Sequence, residues 1–368
     1  MDGDTRVKRL IALALVVMAM TCAGSSGAAE KTVVWDKSTL VQVHSGGSYA
    51  RMVRVAGGDI LCGFEGDGAV WVSRSADEGK TWSKAEQVAK APPGSASNAE
   101  LLVLANGWIL YLYNERPNDG VHHFTIQVMV SKDNGHKWTH MSKVYEAGTE
   151  FHNGCWEPAA IQLPSGEIQL FFANEYPYIH SKDQEISMCR SFDNGRKWTK
   201  AKPISFRAEH RDGMPSPLIL RDGNGIVVAI EDNGYTPMFT PSIIYTSMAD
   251  NWKTCATAAS PNRWSAIKKP TSVEWGGAPY IRQMPSGETV LSFQSSVGCR
   301  QPQMVVYVGD ETARSFTGRS VPFVVPSDKG GCWNSLFVKN ATTITAITSS
   351  EGSIWAIDGH IGTAKSVP

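Results

Sequence analysis

A turn-forming octapeptide recurs along this chain, and its spacing constrains the fold more than any other feature of the sequence. The pattern Ser-x-Asp-x-Gly-x-x-Trp occupies residues 75–82, 131–138 and 191–198. The tryptophans that end these copies are 56 and 60 residues apart, and a decayed copy ends at Trp252 after another 54 residues. A fainter trace ends at Phe316. A recurrence of this length predicts a repeat architecture.

Each octapeptide has the residues of a hairpin turn. The aspartate can accept hydrogen bonds from turn amides, the glycine tolerates a backbone conformation that other residues avoid, and the tryptophan packs back on the turn. We therefore interpret these boxes as structural, and their main residues are Asp77, Trp82, Asp133, Trp138, Asp193 and Trp198. The octapeptides resemble the Asp-boxes of sialidases and related β-propellers.

Between the boxes a second pattern recurs six times, in which a turn cluster separates two apolar, β-rich runs. Each copy predicts a pair of antiparallel strands, so six copies predict six blades. The run at residues 32–43 would supply the outer strand of the last blade and close the ring, which removes exposed sheet edges. No linker-like stretch divides the chain. Residues 30–368 are therefore predicted to form one all-β domain, a six-bladed β-propeller with four-stranded antiparallel blades.

The first 29 residues have the features of a signal peptide. A basic start with Arg6, Lys8 and Arg9 precedes an apolar run at residues 10–20, which is too short to span a bilayer. Small residues then predict cleavage near Ala29, and hence a secreted or periplasmic protein. Six cysteines follow the predicted cleavage point, and we expect buried thiols with one or two disulfides.

The charge balance excludes one class of partner. Lys plus Arg and Asp plus Glu both number 35, so bulk electrostatics favours neither nucleic acid nor an acidic membrane surface. No long apolar run after the signal peptide predicts a membrane span. No Cys/His spacing predicts zinc and no EF-hand-like run predicts calcium, so we expect neither a metal nor a cofactor. We expect a monomer.

Polar residues gather at the predicted rim opposite the boxes, where the first strand of each blade starts and the second strand ends. Glu157 follows Trp156 and precedes Pro158, and Glu231 ends an almost wholly apolar strand. Two carboxylates in this arrangement are the apparatus of glycoside hydrolysis. Arg211, in the run RDGMP, is placed to hold a sugar hydroxyl or Glu231 itself.

The runs CWEP and RDGMP, and the strand that ends at Glu231, look like the exo-α-1,5-L-arabinanases of glycoside hydrolase family 93. This resemblance implies that Glu157 is the general acid/base and Glu231 the nucleophile of a retaining enzyme. It further implies cleavage of arabinan or arabino-oligosaccharides from the non-reducing end. The residues predicted to contact the saccharide substrate are Arg51, Glu115, Glu175, Arg211, Asp212, Tyr280 and Trp333. Tyr280 and Tyr235 are the candidates for an assisting hydroxyl.

Three alternatives stay open at this point. Glu175 is the rival for the acid role, because it ends the second strand of the blade that Glu157 begins. An exo-sialidase would need three arginines, for which Arg51, Arg211 and Arg300 are candidates, although no Ile-Pro follows Arg51. A non-catalytic glycan-binding propeller would use tryptophans alone as stacking platforms; the candidates are Trp71, Trp108, Trp156, Trp275 and Trp333. We favour the arabinanase-like hydrolase.

Overall fold

The fold is a ring of six antiparallel sheets. A computed structural model describes residues 30–268, 275–296, 301–324 and 329–363, and the predicted signal peptide, Cys299 and Arg300 lie outside these ranges. Within them, 24 strands form six four-stranded sheets. In five of these sheets the strands are hydrogen-bonded in sequential order, and in the sixth the outer strand comes from the other end of the chain. The prediction of a six-bladed all-β propeller is confirmed.

Five blades are each built from one continuous piece of chain. Blade one contains β2 (Ser48–Arg54), β3 (Ile60–Gly66), β4 (Ala69–Ser75) and β5 (Glu86–Lys90). Blade two contains β6 (Ser95–Val103), β7 (Ile109–Arg116), β8 (Thr125–Ser131) and β9 (Thr139–Glu146). Blade three contains β10 (Cys155–Gln162), β11 (Ile168–Asn174), β12 (Glu185–Ser191) and β13 (Lys202–Ser205). Blade four contains β14 (Asp212–Ile219), β15 (Gly225–Asp232), β16 (Thr240–Ser247) and β17 (Arg263–Ser265). Blade five contains β18 (Gly276–Gln283), β19 (Thr289–Ser295), β20 (Gln303–Gly309) and β21 (Thr317–Ser320).

The sixth blade closes the ring by joining both ends of the chain. It contains β22 (Cys332–Val338), β23 (Thr343–Ser350) and β24 (Ser353–Thr363), and its outer strand is the N-terminal β1 (Lys31–Ser45). Strand β1 runs antiparallel to β24, from the pair Lys31–Thr363 to the pair Ser45–Ser353. The predicted closure by the N-terminal strand is therefore present, and it leaves no gap between the first and last blades.

The boxes form the turns between the third and fourth strands of their blades. In the third box, Asp193 accepts the Lys197 N–H at 2.9 Å, and the Gly195 N–H donates to Ser191 Oγ at 2.9 Å. The Trp198 indole donates to the Gly195 carbonyl at 3.1 Å. The fainter fifth trace is built in the same way, since Asp310 accepts the N–H groups of Thr312 and Arg314. The box turns lie on one rim of the ring, and the opposite rim carries the starts of the first strands.

A β-bulge marks the start of the first strand in every blade. The bulge residues all have positive φ angles between 48° and 59°, and they are Tyr49, Asn98, Glu157, Met214, Ala278 and Trp333. The strand register shifts directly after each of them, for example between Trp156 and Ala159. A bulge redirects a side chain and twists the strand locally. The six bulges therefore form a ring of redirected residues around the central channel.

The described cysteines are all free thiols: Cys62, Cys155, Cys189, Cys255 and Cys332. Three of them are buried, and burial raises the pKa of Cys62 to about 12, which keeps that thiol protonated. The expectation of disulfides is therefore wrong for these five positions, while the expectation of buried thiols is confirmed for Cys62, Cys155 and Cys189, which pack among apolar core side chains.

Candidate active site

Glu157 links blade three to its two neighbours. As a bulge residue with φ of 59°, it donates its N–H to Asn114 Oδ1 of blade two at 3.0 Å. Its carboxylate oxygen Oε2 accepts the N–H of Met214, the bulge residue of blade four, at 2.9 Å. The backbone and the side chain are therefore fixed from opposite directions, and the carboxylate is held at the border between blades three and four.

Glu231 lies at the end of β15 and reaches toward blade five. Its Oε2 accepts the N–H of Ala278, the bulge residue of that blade, at 2.9 Å. Two glycines leave room for this carboxylate. A Cβ atom at Gly213 would lie 2.9 Å from Oε1, and one at Gly277 would lie 3.0 Å from Oε2. An added Cβ would lie even closer to Gln184 Nε2 at Gly213, at 2.8 Å, and to the Trp275 ring at Gly277, at 2.7 Å. A larger residue at either position would therefore displace the carboxylate or the side chain packed beside it.

The two carboxylates influence each other electrostatically. Burial, followed by the negative charge of Glu231, raises the pKa of Glu157 to about 8, against the opposing effects of Arg116, the Met214 N–H and Arg211. Burial also raises the pKa of Glu231, against the Ala278 N–H and Arg211. Burial raises both pKa values and the charge of Glu231 adds to the rise at Glu157, so a pair of this kind holds a shared proton more readily than two exposed carboxylates do.

Arg211 approaches the pair while its own charge is balanced by Glu175. The guanidinium Nη2 donates to Glu175 Oε1 and to Gln184 Oε1, both at 2.5 Å. The other oxygen of Glu175 accepts the Trp156 indole N–H at 2.9 Å. Glu175 is therefore occupied on both oxygens by groups that it orients, and this geometry favours Glu157 over Glu175 as the acid.

A buried ion cluster supports the strands that carry the pair. Arg263 on β17 donates to both oxygens of Asp212 at 2.5 and 2.8 Å, and to Asp232 Oδ2 at 2.5 and 3.1 Å. All three side chains are fully buried. Asp212 begins the segment that supplies the Met214 N–H, and Asp232 follows Glu231. Asp212 was predicted to contact substrate, but its burial in this cluster indicates that it holds the framework instead.

Two further predicted site residues, Arg51 and Tyr280, lie one step deeper in the central channel than the bulge residues. Arg51 is buried, with Nε 3.5 Å from Glu100 Oε2 and its guanidinium 4.7 Å from the centre of the Tyr280 ring. The Tyr280 hydroxyl contacts Glu100 at 3.4 Å and also Arg282. Burial raises the pKa of Tyr280 to about 12. This cluster forms a polar floor, and the charge of Arg51 is balanced by Glu100.

The remaining predicted residues are more scattered. Trp333 is a bulge residue of blade six, partly exposed at the channel mouth, with its ring 6.1 Å from that of Tyr49. Glu115 accepts hydrogen bonds from Thr125 and Gln127 within its own blade. Trp108 lies on the box rim, where Lys132 and Arg196 cover its ring, so it cannot act as a stacking platform beside Glu157.

The sequence reasoning missed several groups that shape the site. Arg116 stands 5.0 Å from the Trp156 ring and bonds to Asn98, which also contacts the Glu157 N–H. Its place at the end of a second strand, directly after Glu115, was an available signal. The Met214 and Ala278 amides carried no signal, because every residue except proline has a backbone N–H.

No metal centre or membrane-spanning helix was found in the part of the chain that the structure describes. Among these residues, no group of three or more His, Cys, Asp or Glu side chains is arranged to hold a metal ion. None of the described helices has the length and apolar character needed to traverse a bilayer.

Fold and site together define a class: a six-bladed Asp-box β-propeller with two interacting buried carboxylates on the rim opposite the boxes. Residues 26–152 match the family model of the BNR repeat-like domain. No curated protein matches the chain in sequence. The predicted resemblance to Asp-box propellers of the sialidase superfamily is confirmed at the level of the fold.

Solved structures share this fold across most of the chain. The α-L-arabinanase of Penicillium chrysogenum, complexed with arabinobiose, has a TM-score of 0.66 and 16% identity, covering 92% of this chain and 100% of that one. The family 93 α-L-arabinofuranosidase of Fusarium graminearum, also with arabinobiose, has a TM-score of 0.64 and 17% identity, covering 91% and 97%. A Hadza microbial sialidase has a TM-score of 0.60 and 10% identity, covering 88% and 66%.

Proposed function

We propose that this protein is an exo-acting, retaining glycoside hydrolase that acts on α-1,5-L-arabinan or arabino-oligosaccharides from the non-reducing end. The observation that carries the proposal is the carboxylate pair. Glu157 and Glu231 are each held by a backbone N–H of the next blade, and the negative charge of Glu231 helps to raise the pKa of Glu157. Such a pair supplies an acid and a nucleophile at neutral pH.

We assign the acid role to Glu157 and the nucleophile role to Glu231. The pKa of Glu157 is raised to about 8, which suits a group that must carry a proton at neutral pH. In the first step Glu231 attacks the anomeric carbon, the bond from that carbon to the leaving oxygen breaks, and Glu157 donates its proton to that oxygen. In the second step Glu157 removes a proton from water, whose oxygen displaces Glu231 from the sugar.

The charges around the pair favour a neutral sugar over an acidic one. Arg211 is paired with Glu175 at 2.5 Å, and Arg51 is paired with Glu100 at 3.5 Å. Two of the three arginines predicted for a sialidase are therefore already paired with carboxylates of the chain, which favours a substrate without a carboxylate. The arabinobiose complexes of the Penicillium and Fusarium proteins, which have the same fold, further support an arabinose-containing substrate.

We also propose export after cleavage near Ala29 and action as a monomer, since the ring is closed and needs no partner strand. The deciding experiment is a screen of the mature protein against debranched arabinan, arabino-oligosaccharides and sialyl-lactose. Release of arabinobiose, first formed with the anomeric configuration of the substrate, is the expected result. Release of free sialic acid, or arabinobiose of inverted configuration, would overturn the substrate or the mechanism respectively.

A further inference from the structure

Large apolar side chains are exposed on the loops that surround Glu157. Val121 and Phe151 are 71% and 70% exposed, and Ile179 and Tyr176 are 48% and 43% exposed. Val121 lies in the β7–β8 loop, Phe151 in the loop before β10, and Tyr176 and Ile179 in the loop after β11. All three loops belong to the rim opposite the boxes, on blades two and three. Exposed apolar side chains that gather in this way mark binding surfaces.

This apolar surface is continuous with the carboxylate site. The Phe151 ring lies 4.8 Å from the ring of Trp156, the residue directly before Glu157. The Arg116 guanidinium lies 5.0 Å from the same Trp156 ring. A chain of contacts therefore leads from Glu157 through Trp156 to the exposed face of Phe151.

Hydrogen bonds hold the loops in place. The Phe124 N–H donates to the Gly148 carbonyl at 2.9 Å, and the Gly148 N–H donates to the Asn153 carbonyl at 3.0 Å. The backbone of the 3₁₀ helix Phe151–Asn153 lies next to that of the 3₁₀ helix Tyr176–Tyr178, so Phe151 and Tyr176 are carried by neighbouring loops. A preformed surface binds a ligand without the cost of ordering a loop.

We propose that Phe151 and Tyr176 form a platform for the sugar units on the leaving-group side of the scissile bond. This inference rests on the proposed function. A general acid must contact the leaving oxygen, so the departing part of the glycan extends from Glu157 over its own blade. Glu231, which reaches toward blade five, marks the side of the bound non-reducing end. Aromatic rings suit a neutral saccharide because the C–H faces of a sugar pack against them.

The test compares substrates that differ only in the length of the leaving group. When a disaccharide is cleaved from the non-reducing end, the leaving group of arabinotriose is one sugar. The leaving groups of arabinohexaose and debranched arabinan contain several sugars. We expect F151A and Y176A to lower kcat/KM at least fivefold on the long substrates and less than twofold on arabinotriose. The loss should appear mainly in KM, because the platform binds without reacting.

Phe192 provides a matched control. It is 70% exposed like Phe151, but it lies in the third Asp-box on the opposite rim, so F192A should leave all substrates unaffected. If F151A and Y176A lower kcat/KM equally on every chain length, or do not lower it at all, the platform is refuted. The proposed hydrolase function would not be affected by either result. A wild-type protein that is inactive on every length would instead refute the proposed function, and the leaving-group assignment with it.

Discussion

Replacing Glu231 by Gln separates the chemistry of this residue from its contribution to the fold. The Glu231 carboxylate accepts the Ala278 N–H at 2.9 Å, and an amide oxygen can accept the same bond. Blade five already uses this solution, because Gln294 Oε1 accepts the Trp333 N–H at 2.6 Å. Loss of the bond would cost only about 1 kcal/mol. The midpoint of thermal unfolding of E231Q should therefore fall by no more than about 2–4 °C, and it should rise at a pH where the buried Glu231 is ionised in the wild type.

The effect on turnover should be far larger. An amide cannot form the glycosyl–enzyme ester, and we expect kcat/KM to fall by about 10⁴-fold, which corresponds to about 5.5 kcal/mol of transition-state stabilisation. A second consequence concerns the neighbouring acid. The negative charge of Glu231 helps to raise the pKa of Glu157 to about 8, so this pKa should fall in E231Q, although burial still keeps it above its ordinary value.

Glu65 provides the control for this comparison. It occupies the same strand position in blade one, where its Oε2 accepts the N–H of the bulge residue Asn98 at 2.5 Å, so E65Q makes the same chemical change elsewhere in the ring. The assay is release of arabinobiose, followed with and without sodium azide as an external nucleophile. A folded E231Q that keeps more than a tenth of wild-type activity would refute the catalytic assignment. Because Asn98 also contacts Arg116 and the Glu157 N–H, E65Q is expected to lose a small part of the activity, and that part should not be rescued by azide.

Three further predictions concern the surroundings of the pair. In G277A, the added methyl would lie 2.7 Å from the Trp275 ring and 3.0 Å from Glu231 Oε2, so displacement of these two groups should lower kcat by about 10²-fold while circular dichroism stays unchanged. In R263M, Asp212 and Asp232 lose their shared counter-charge, and denaturant titration should show a loss of about 3–5 kcal/mol; full stability would contradict the role of the cluster. In E157Q, the gain in melting temperature over the wild type should grow between pH 5 and pH 9. The raised pKa of Glu157 stabilises the wild-type fold fully below about pH 4.5, and this contribution is lost as the pH rises through about 8. Glutamine does not titrate, so E157Q does not lose stability in this way. A gain in melting temperature that is independent of pH would contradict the raised pKa.

The blade architecture was predictable because its signals are local. Each box turn is closed by bonds within one octapeptide, such as the N–H of Thr81 to Asp77 and the N–H of Gly79 to Ser75 Oγ. A short pattern of residue types therefore encodes the turn directly. The apolar strand pairs are equally local, and their number set the number of blades. Closure by β1 followed from the remaining strand count and from the cost of leaving a sheet edge unpaired.

The candidate site was predictable only in part. The acidic residues that end or begin strands could be seen in the sequence, and Glu157 and Glu231 were among them. Their partners could not be seen, because the Met214 and Ala278 N–H groups belong to backbone that has no side-chain signature. Arg263 was equally hidden, since it joins Asp232 across 31 residues through a strand of three residues.

The carboxylate pair arises where the repeat departs from its own rule. In four blades, a side chain at one position of the second strand accepts the bulge N–H of the next blade, and the four are Glu65, Asn114, Glu231 and Gln294. In blade three that position is Ala173, which is too short, and Glu157 accepts the Met214 N–H instead. The alanine cannot accept a hydrogen bond, so the Met214 N–H is left to Glu157, whose carboxylate is close enough to Glu231 to feel its charge. The arrangement of the two acids therefore depends on an alanine at this position of blade three. An alignment of the blade sequences with one another would show this alanine among the polar residues of the other blades.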